Sequence, residues 1–486
     1  MLPQQRNQNV FLWALVALVP LVLIGTSFFV DHWGWGLMDD PGLVMQASQG
    51  WWSRTIGMFQ ALHNWGTFRF TYAAYVSFFY PLFHQSPQLF YLFKLGLVSL
   101  TLLLWGINAR LLTGKSISVF LLPCVALSYY FFYDAFGYLS IQEPLGLFFG
   151  ACAFLCFIIG ALQKAQRQLP IHAGWLCAGV IFLILCVQSK EVFVSSALAA
   201  GVMLFLIFLT YKRKTLLFLS LVILLTATGY ALYLKFCFQH AYSSQYDLTN
   251  GQKLLSNAHV WLMHSFVFHL PWALLWAIFA AGRFLKKEGG AMDRNARIGL
   301  ITGAFNYALF LLLLLPWQVS DFYAIPLGLF FAFTLTMVLA PYLEELKGWP
   351  NKAIILTVLV LNLAVCYCSF GKMAAYRNDT SQLLDWLKYN EDFNKAADNG
   401  FTTATNAPEA GDRIPELLQM QTGRSIPHFA PMYSVKDIVY NQKVLYYLYN
   451  PTLGDQDLRL INRLFSVVYS SRSWTLFRKN DIFFSH

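Results

Sequence analysis

The chain has 486 residues, of which 57% are hydrophobic, 17% aromatic and only 12% charged. A soluble domain carries about 25% charged residues, so this composition excludes a large water-soluble protein. The formal net charge of +10 would suit nucleic acid or an anionic membrane, but the basic residues lie in short loops between apolar runs, which is a membrane-topology pattern.

A helix that crosses a bilayer needs about 20 mostly apolar residues. Eleven runs of that kind follow one another along the chain, at 10–29, 89–107, 116–133, 142–161, 172–187, 192–210, 215–236, 261–281, 298–316, 322–339 and 353–370. The first is long enough to span and lacks a small-residue cleavage site, so it reads as a span and not a signal peptide. Only Gln188, Ser189, Lys190 and Glu191 separate the fifth run from the sixth, which predicts a tight hairpin. The eight cysteines sit in or beside apolar runs without zinc-site spacing and read as small buried side chains.

Orientation follows from the basic residues. With Arg6 inside, the same side receives Arg110 and Lys115, Lys164 and Arg167, Lys212 to Lys214, the run from Arg283 to Arg297, and Lys347 and Lys352. The opposite side holds fewer basic residues, among them Arg54, Arg69, Lys94 and Lys190, together with the acids Asp31, Asp39, Asp40, Asp134, Glu143, Glu191, Asp247 and Asp321. Carboxylates beside apolar helices are costly to keep ionised, so this outer face is the expected working surface. The last 116 residues (371–486) have an ordinary soluble composition. Helix-like stretches at 381–389 and 414–421 alternate there with strand-like ones at 401–405 and 473–477, as expected for a small α/β outer domain. The expected division is a transmembrane catalytic domain at 1–370 and this outer domain at 371–486.

The first outer loop, 31–87, carries the most chemistry. It opens DHWGWGLMDDPG, which places Asp39 and Asp40 beside the membrane. Bulky residues then recur at helical spacing over 42–59, the pattern of a helix lying in the interface. HNWGTFRFTYAAY follows and sets Arg69 among aromatics. A carboxylate and a cation at headgroup depth suit transfer of a sugar from a lipid phosphate. A positioned carboxylate takes the proton of an attacking hydroxyl, and Arg or Lys stabilises the departing phosphate. Taken alone, Asp-Asp-Pro-Gly is equally good turn chemistry.

An acidic pair just after the first span, followed by interfacial helices, resembles the GT-C superfamily of membrane glycosyltransferases. The resemblance implies an all-α polytopic bundle of about eleven spans, N-terminus in and C-terminus out, with a functional first outer loop and an outer C-terminal domain. It implies Asp39, or else Asp40, as catalytic base, and WGTFRF is similar to a Gly-x-Phe-Arg element that makes Arg69 a donor-phosphate ligand. Glu143, in YLSIQEPLGLFFG, resembles a further acid of the second outer loop that orients the acceptor or binds sugar hydroxyls. Ser189-Lys190-Glu191 also resembles a family motif, with Lys190 on phosphate and Glu191 holding it. Gln318, Asp321 and Tyr323 lie where members contact the donor phosphate or sugar.

Asp-Asp stands where family members carry Asp-Glu. Members with lipid monophosphate donors need no metal, so neither a metal nor another cofactor is expected. In size and layout the chain is most similar to the bacterial enzymes that add glucose from undecaprenyl-phosphate glucose to O-antigen. This implies an inner-membrane protein working on the periplasmic side, with a lipid-linked polysaccharide as acceptor and no nucleic-acid partner. Two rivals stand beside it, a transporter or flippase and an O-antigen polymerase or ligase. A transporter would carry charged or broken helices at the midplane.

Overall fold

The computed structural model describes residues 51–64, 68–83, 86–129, 134–137, 141–237, 251–261, 293–315, 324–345, 349–422, 429–432, 443–451 and 458–480, with a few isolated positions besides. Asp39, Asp40, Gln318, Asp321 and Tyr323 lie outside the described residues, as do the expected span at 10–29, apart from isolated positions, and most of that at 261–281.

Two helices of the first loop come first, α1 (Trp51–Asn64) and α2 (Phe70–Phe79). Trp51 and Trp52 of α1 and Phe78 of α2 are exposed, and the Trp51 ring meets each of the other two. Amphipathic aromatics are favoured at headgroup depth. The bundle then runs through α3 (Pro87–Thr113), α4 (Ser118–Leu127), α5 (Glu143–Gln166, containing a π-helical stretch at Ile158–Leu162), α6 (Ala173–Val187), α7 (Val194–Tyr211, led in by the 3-10 turn Glu191–Phe193), α8 (Lys214–Cys237), α9 (Arg294–Leu314), α10 (Ala324–Glu345) and α11 (Trp349–Tyr389).

Among the described residues, six of these helices are long and apolar enough to cross a membrane: α3, α5, α7, α8, α9 and α10. The chain is therefore a multi-pass membrane protein, and among the described residues six of the eleven expected spans are supported. The expected span at 116–133 is the ten-residue α4, about 15 Å long against a hydrocarbon core of about 30 Å. Pro123 interrupts its hydrogen-bond ladder, and Ser128 Oγ donates to the Val125 carbonyl at its end. Every side chain of α4 is buried. It is apolar all round because α3 and α10 surround it, not lipid. The run at 172–187 becomes the fifteen-residue α6, and that at 353–370 lies within the 41-residue α11.

The hairpin expected between α6 and α7 is short in sequence but splayed in space. α6 packs chiefly on α5, and α7 on α8. Small residues decide this, since lipid supplies no hydrophobic drive between helices. A Cβ on Gly160 of α5 would stand 2.6 Å from Cβ of Trp175, and one on Gly179 of α6 would stand 2.6 Å from the Phe157 ring. Polar side chains of α3 add bonds to backbone carbonyls of α5, Trp105 Nε1 to Leu147 at 3.0 Å and Asn108 Nδ2 to Ala151 at 2.9 Å.

After α11 come α12 (Glu391–Asp398), β1 (Thr402–Thr405), α13 (Pro408–Thr422), β2 (Ala430–Pro431), β3 (Val444–Tyr449), α14 (Arg459–Leu464), β4 (Phe465–Ser470) and β5 (Thr475–Lys479). The five strands form one mixed sheet in the order β2-β1-β3-β5-β4. β1 is parallel to both neighbours, and β5 is antiparallel to β3 and β4. The central strand, VLYYLY, is buried throughout. Val444, Tyr447 and Tyr449 pack with Ile461 and Phe477 in a small separate core, whereas Tyr446, Leu448 and Trp474 join the core of the bundle.

α11 makes that junction. Trp474 Nε1 donates to Thr380 Oγ1 at 3.0 Å, and Ser473 Oγ donates to Asp379 Oδ2 at 2.6 Å. One residue from Tyr376, whose ring meets Trp474, buried Arg377 lays its guanidinium 4.0 Å from the centre of the Tyr91 ring on α3.

Candidate functional site

Charged side chains from four separate segments gather where α2, α3, α5 and α7 begin. Arg69 ends the two-residue lead-in to α2, and its carbonyl accepts from the Ala73 N–H at 3.0 Å. Its Nε donates to both carboxylate oxygens of Glu191, at 3.0 and 3.1 Å, and the Phe68 N–H donates to Glu191 Oε1 at 3.0 Å. Three contacts on one carboxylate fix the aromatic loop of the first segment to the turn before α7, across 122 residues of chain. Both side chains keep a small share of their surface open.

Lys190, the preceding residue, pairs with Glu143 instead. The Lys190 backbone is extended, at φ −163° and ψ 140°, and successive side chains on an extended backbone point to opposite sides. The turn therefore faces two ways, with Glu191 towards Arg69 and Lys190 towards the interior. Glu143 opens α5 and is fully buried. A carboxylate there is favoured by the helix dipole as well as by Lys190. Its Oε2 has no hydrogen-bond partner among the described residues.

One glycine-scale fit holds this pairing in register. Glu143 and Gly146 lie one turn apart on α5, as do Lys190 and Phe193 in the facing turn. A Cβ on Gly146 would come within 2.1 Å of the Phe193 ring, so the ring occupies the space that any other residue would fill. Gly146→Val is expected to push Phe193 off α5 and part Lys190 from Glu143. Its effect should be at the upper end of the about 1–3 kcal/mol usual for overpacking, read as a fall in the midpoint of thermal unfolding in detergent. Gly146→Ala should fall between Val and wild type.

Lys94 is a site member that charge counting placed merely among outer-loop basics. It sits eight residues into α3, is buried, and donates from Nζ to the Ile141 carbonyl at 2.7 Å, just ahead of Glu143. The usable signal was its position, because an ionisable residue inside an apolar helix is rarely idle.

Of the residues singled out from sequence, the structure thus brings together Arg69, Glu143, Lys190 and Glu191. Among the described residues no group of three His, Cys, Asp or Glu side chains is placed to hold a metal ion.

No family model matches the chain, and no curated protein matches it. Solved structures do align with it. The crystal structure of ArnT from Cupriavidus metallidurans bound to undecaprenyl phosphate has a TM-score of 0.49 at 12% identity, covering 97% of this chain and 98% of that one. The same protein in the apo state has a TM-score of 0.46 at 13% identity, covering 96% and 97%.

Proposed function

We propose that the chain is a membrane glycosyltransferase of the GT-C type, which moves a sugar from a polyprenyl-phosphate carrier to a glycan acceptor outside the cytoplasm. The observation that carries this reading is the convergence of Arg69 with Ser189-Lys190-Glu191 and Glu143. These segments stand apart along the chain and meet in two ion pairs on either side of one turn, Lys190–Glu143 buried and Arg69–Glu191 partly open. A structural role alone would not call for two cations and two carboxylates at such depth, since desolvating charges costs more than apolar packing of the same volume.

In this reading the acceptor oxygen attacks the anomeric carbon while the bond from that carbon to the phosphate oxygen breaks. The electron pair leaves on the phosphate, and the acceptor proton passes to Asp39 or Asp40. Arg69, held by Glu191, faces the growing phosphate charge, and Lys190 is proposed to reach the donor phosphate by exchanging Glu143 for it. Gln318, Asp321 and Tyr323 serve the donor, and no metal takes part. The single displacement inverts the anomeric carbon. Residues 1–370 hold the site and 371–486 cover it from the periplasm, with the N-terminus inside the cell. Undecaprenyl-phosphate glucose as donor and lipid-linked O-antigen as acceptor complete the reading.

The test is transfer from an undecaprenyl-phosphate sugar in isolated membranes. One of Asp39→Asn and Asp40→Asn should lower the rate by about 10²–10⁴-fold, the usual worth of a general base, and that one names the base. Full activity in both variants would remove the proposed chemistry.

A further inference from the structure

Three side-chain donors of α3 grip backbone carbonyls of α5 and its approach. Trp105 Nε1 and Asn108 Nδ2 reach Leu147 and Ala151, and both are neutral. Lys94 Nζ reaches Ile141 at 2.7 Å and brings a full charge, at 2% exposure, eight residues into an apolar helix. A carbonyl needs no charged donor, and an ammonium at such depth is costly to desolvate. What sets Lys94 apart from the other two is its place. Ile141 stands two residues before Glu143, a Cα separation of at most about 7.6 Å. The Glu143 carboxylate is fully buried, with Lys190 on Oε1 and no hydrogen-bond partner on Oε2 among the described residues. Contact with Lys190 thus takes up one side of that carboxylate.

Charges at this range attract strongly where water is excluded, so the Lys94 ammonium shares the field of Glu143. That matters when Lys190 turns away, because a buried charge that loses its partner is strongly unfavourable. A second ammonium beside the carboxylate offsets part of that cost. It also loosens the pair at rest, since two cations divide the attraction of one carboxylate. An ammonium has three N–H donors, so Lys94 can keep the Ile141 carbonyl and turn another donor towards Oε2.

We propose that Lys94 is a positioning residue for Lys190, sharing Glu143 and so freeing the Lys190 ammonium to meet the donor phosphate. This rests on the carrier-lipid reading above and adds to it a residue that touches neither sugar nor phosphate.

The experiment measures the affinity of the full chain in detergent for undecaprenyl phosphate, with Lys94→Met and Lys94→Gln each made in wild type and in Glu143→Gln. Lys94→Gln removes the charge and keeps an N–H for the Ile141 carbonyl, whereas Lys94→Met removes both. With Glu143 present, either change should weaken binding by about tenfold, within the coupling found inside one charge network. Glu143→Gln still accepts from Lys190 but leaves no carboxylate to strand. There the same changes should alter affinity by about twofold at most, the scatter of independent sites. A mere brace between α3 and α5 would not depend on the Glu143 charge in this way. Equal affinity in wild type and Lys94→Gln overturns the proposal. So does an equal loss in both backgrounds, which would mean that Lys94 attracts the phosphate directly or only supports the fold. If neither Lys94 variant folds, the residue is a brace and the proposal falls. If wild type ignores undecaprenyl phosphate altogether, the carrier-lipid reading itself fails and takes this one with it.

Discussion

Replacing Glu143 by Leu should cost about 3–5 kcal/mol of stability, because it removes the carboxylate paired with the Lys190 ammonium in a site from which water is excluded. Lys190→Met should cost as much by leaving the carboxylate unpaired. The pair Glu143→Leu with Lys190→Met should regain most of the loss, since apolar residues of similar volume often replace a buried ion pair at little cost or a gain. The three variants and wild type form a double-mutant cycle in thermal unfolding, and the expected coupling is strong and favourable. Activity separates the two uses of the pair. If Lys190 meets the donor phosphate, the double variant is stable and inactive. A double variant that unfolds like wild type and transfers sugar at the wild-type rate would leave the pair a purely structural brace.

Arg69→Lys should keep the charge and still lose about 10²–10³-fold in the rate of transfer, the scale found when one preorganised stabiliser of developing charge is removed. The guanidinium holds both oxygens of Glu191 from Nε alone, a donor part-way along a rigid planar group that the terminal ammonium of a lysine does not reproduce. The lysine variant should therefore stay folded while Glu191 loses its fixed orientation. Single-turnover rates with saturating donor would show the deficit in the chemical step. An unchanged rate would mean that Arg69 acts only as a strut for the first loop. Both partners keep some exposed surface, so the stability change should be smaller than for the Glu143 variants.

Much of this was legible in the sequence. Hydropathy located α3, α5, α7, α8, α9 and α10 because each is a long, nearly uncharged run. Charge placement and short motifs singled out Arg69, Glu143, Lys190 and Glu191. The partners were not legible. Lys190 and Glu191 are adjacent and opposite in charge, which suggested that one held the other, yet the extended backbone at Lys190 turns them apart. That conformation follows from how α6 and α7 diverge onto different neighbours, a tertiary fact. α4 was overestimated for a related reason, because hydropathy cannot distinguish lipid from protein as the surrounding medium and Pro123 alone hinted at a stop.

The continuous run of α11 has a mechanical side. Its 41 residues amount to about 60 Å of unbroken rod, set against the bundle at Arg377 and bolted to the sheet through Asp379 and Thr380. No hinge separates those points, so the sheet can move only as the rod moves. Any tilt would first have to slide Arg377 off the face of Tyr91, three residues from Lys94. Whatever docks on the sheet is thus geared to the helix that carries one of the cluster's own cations.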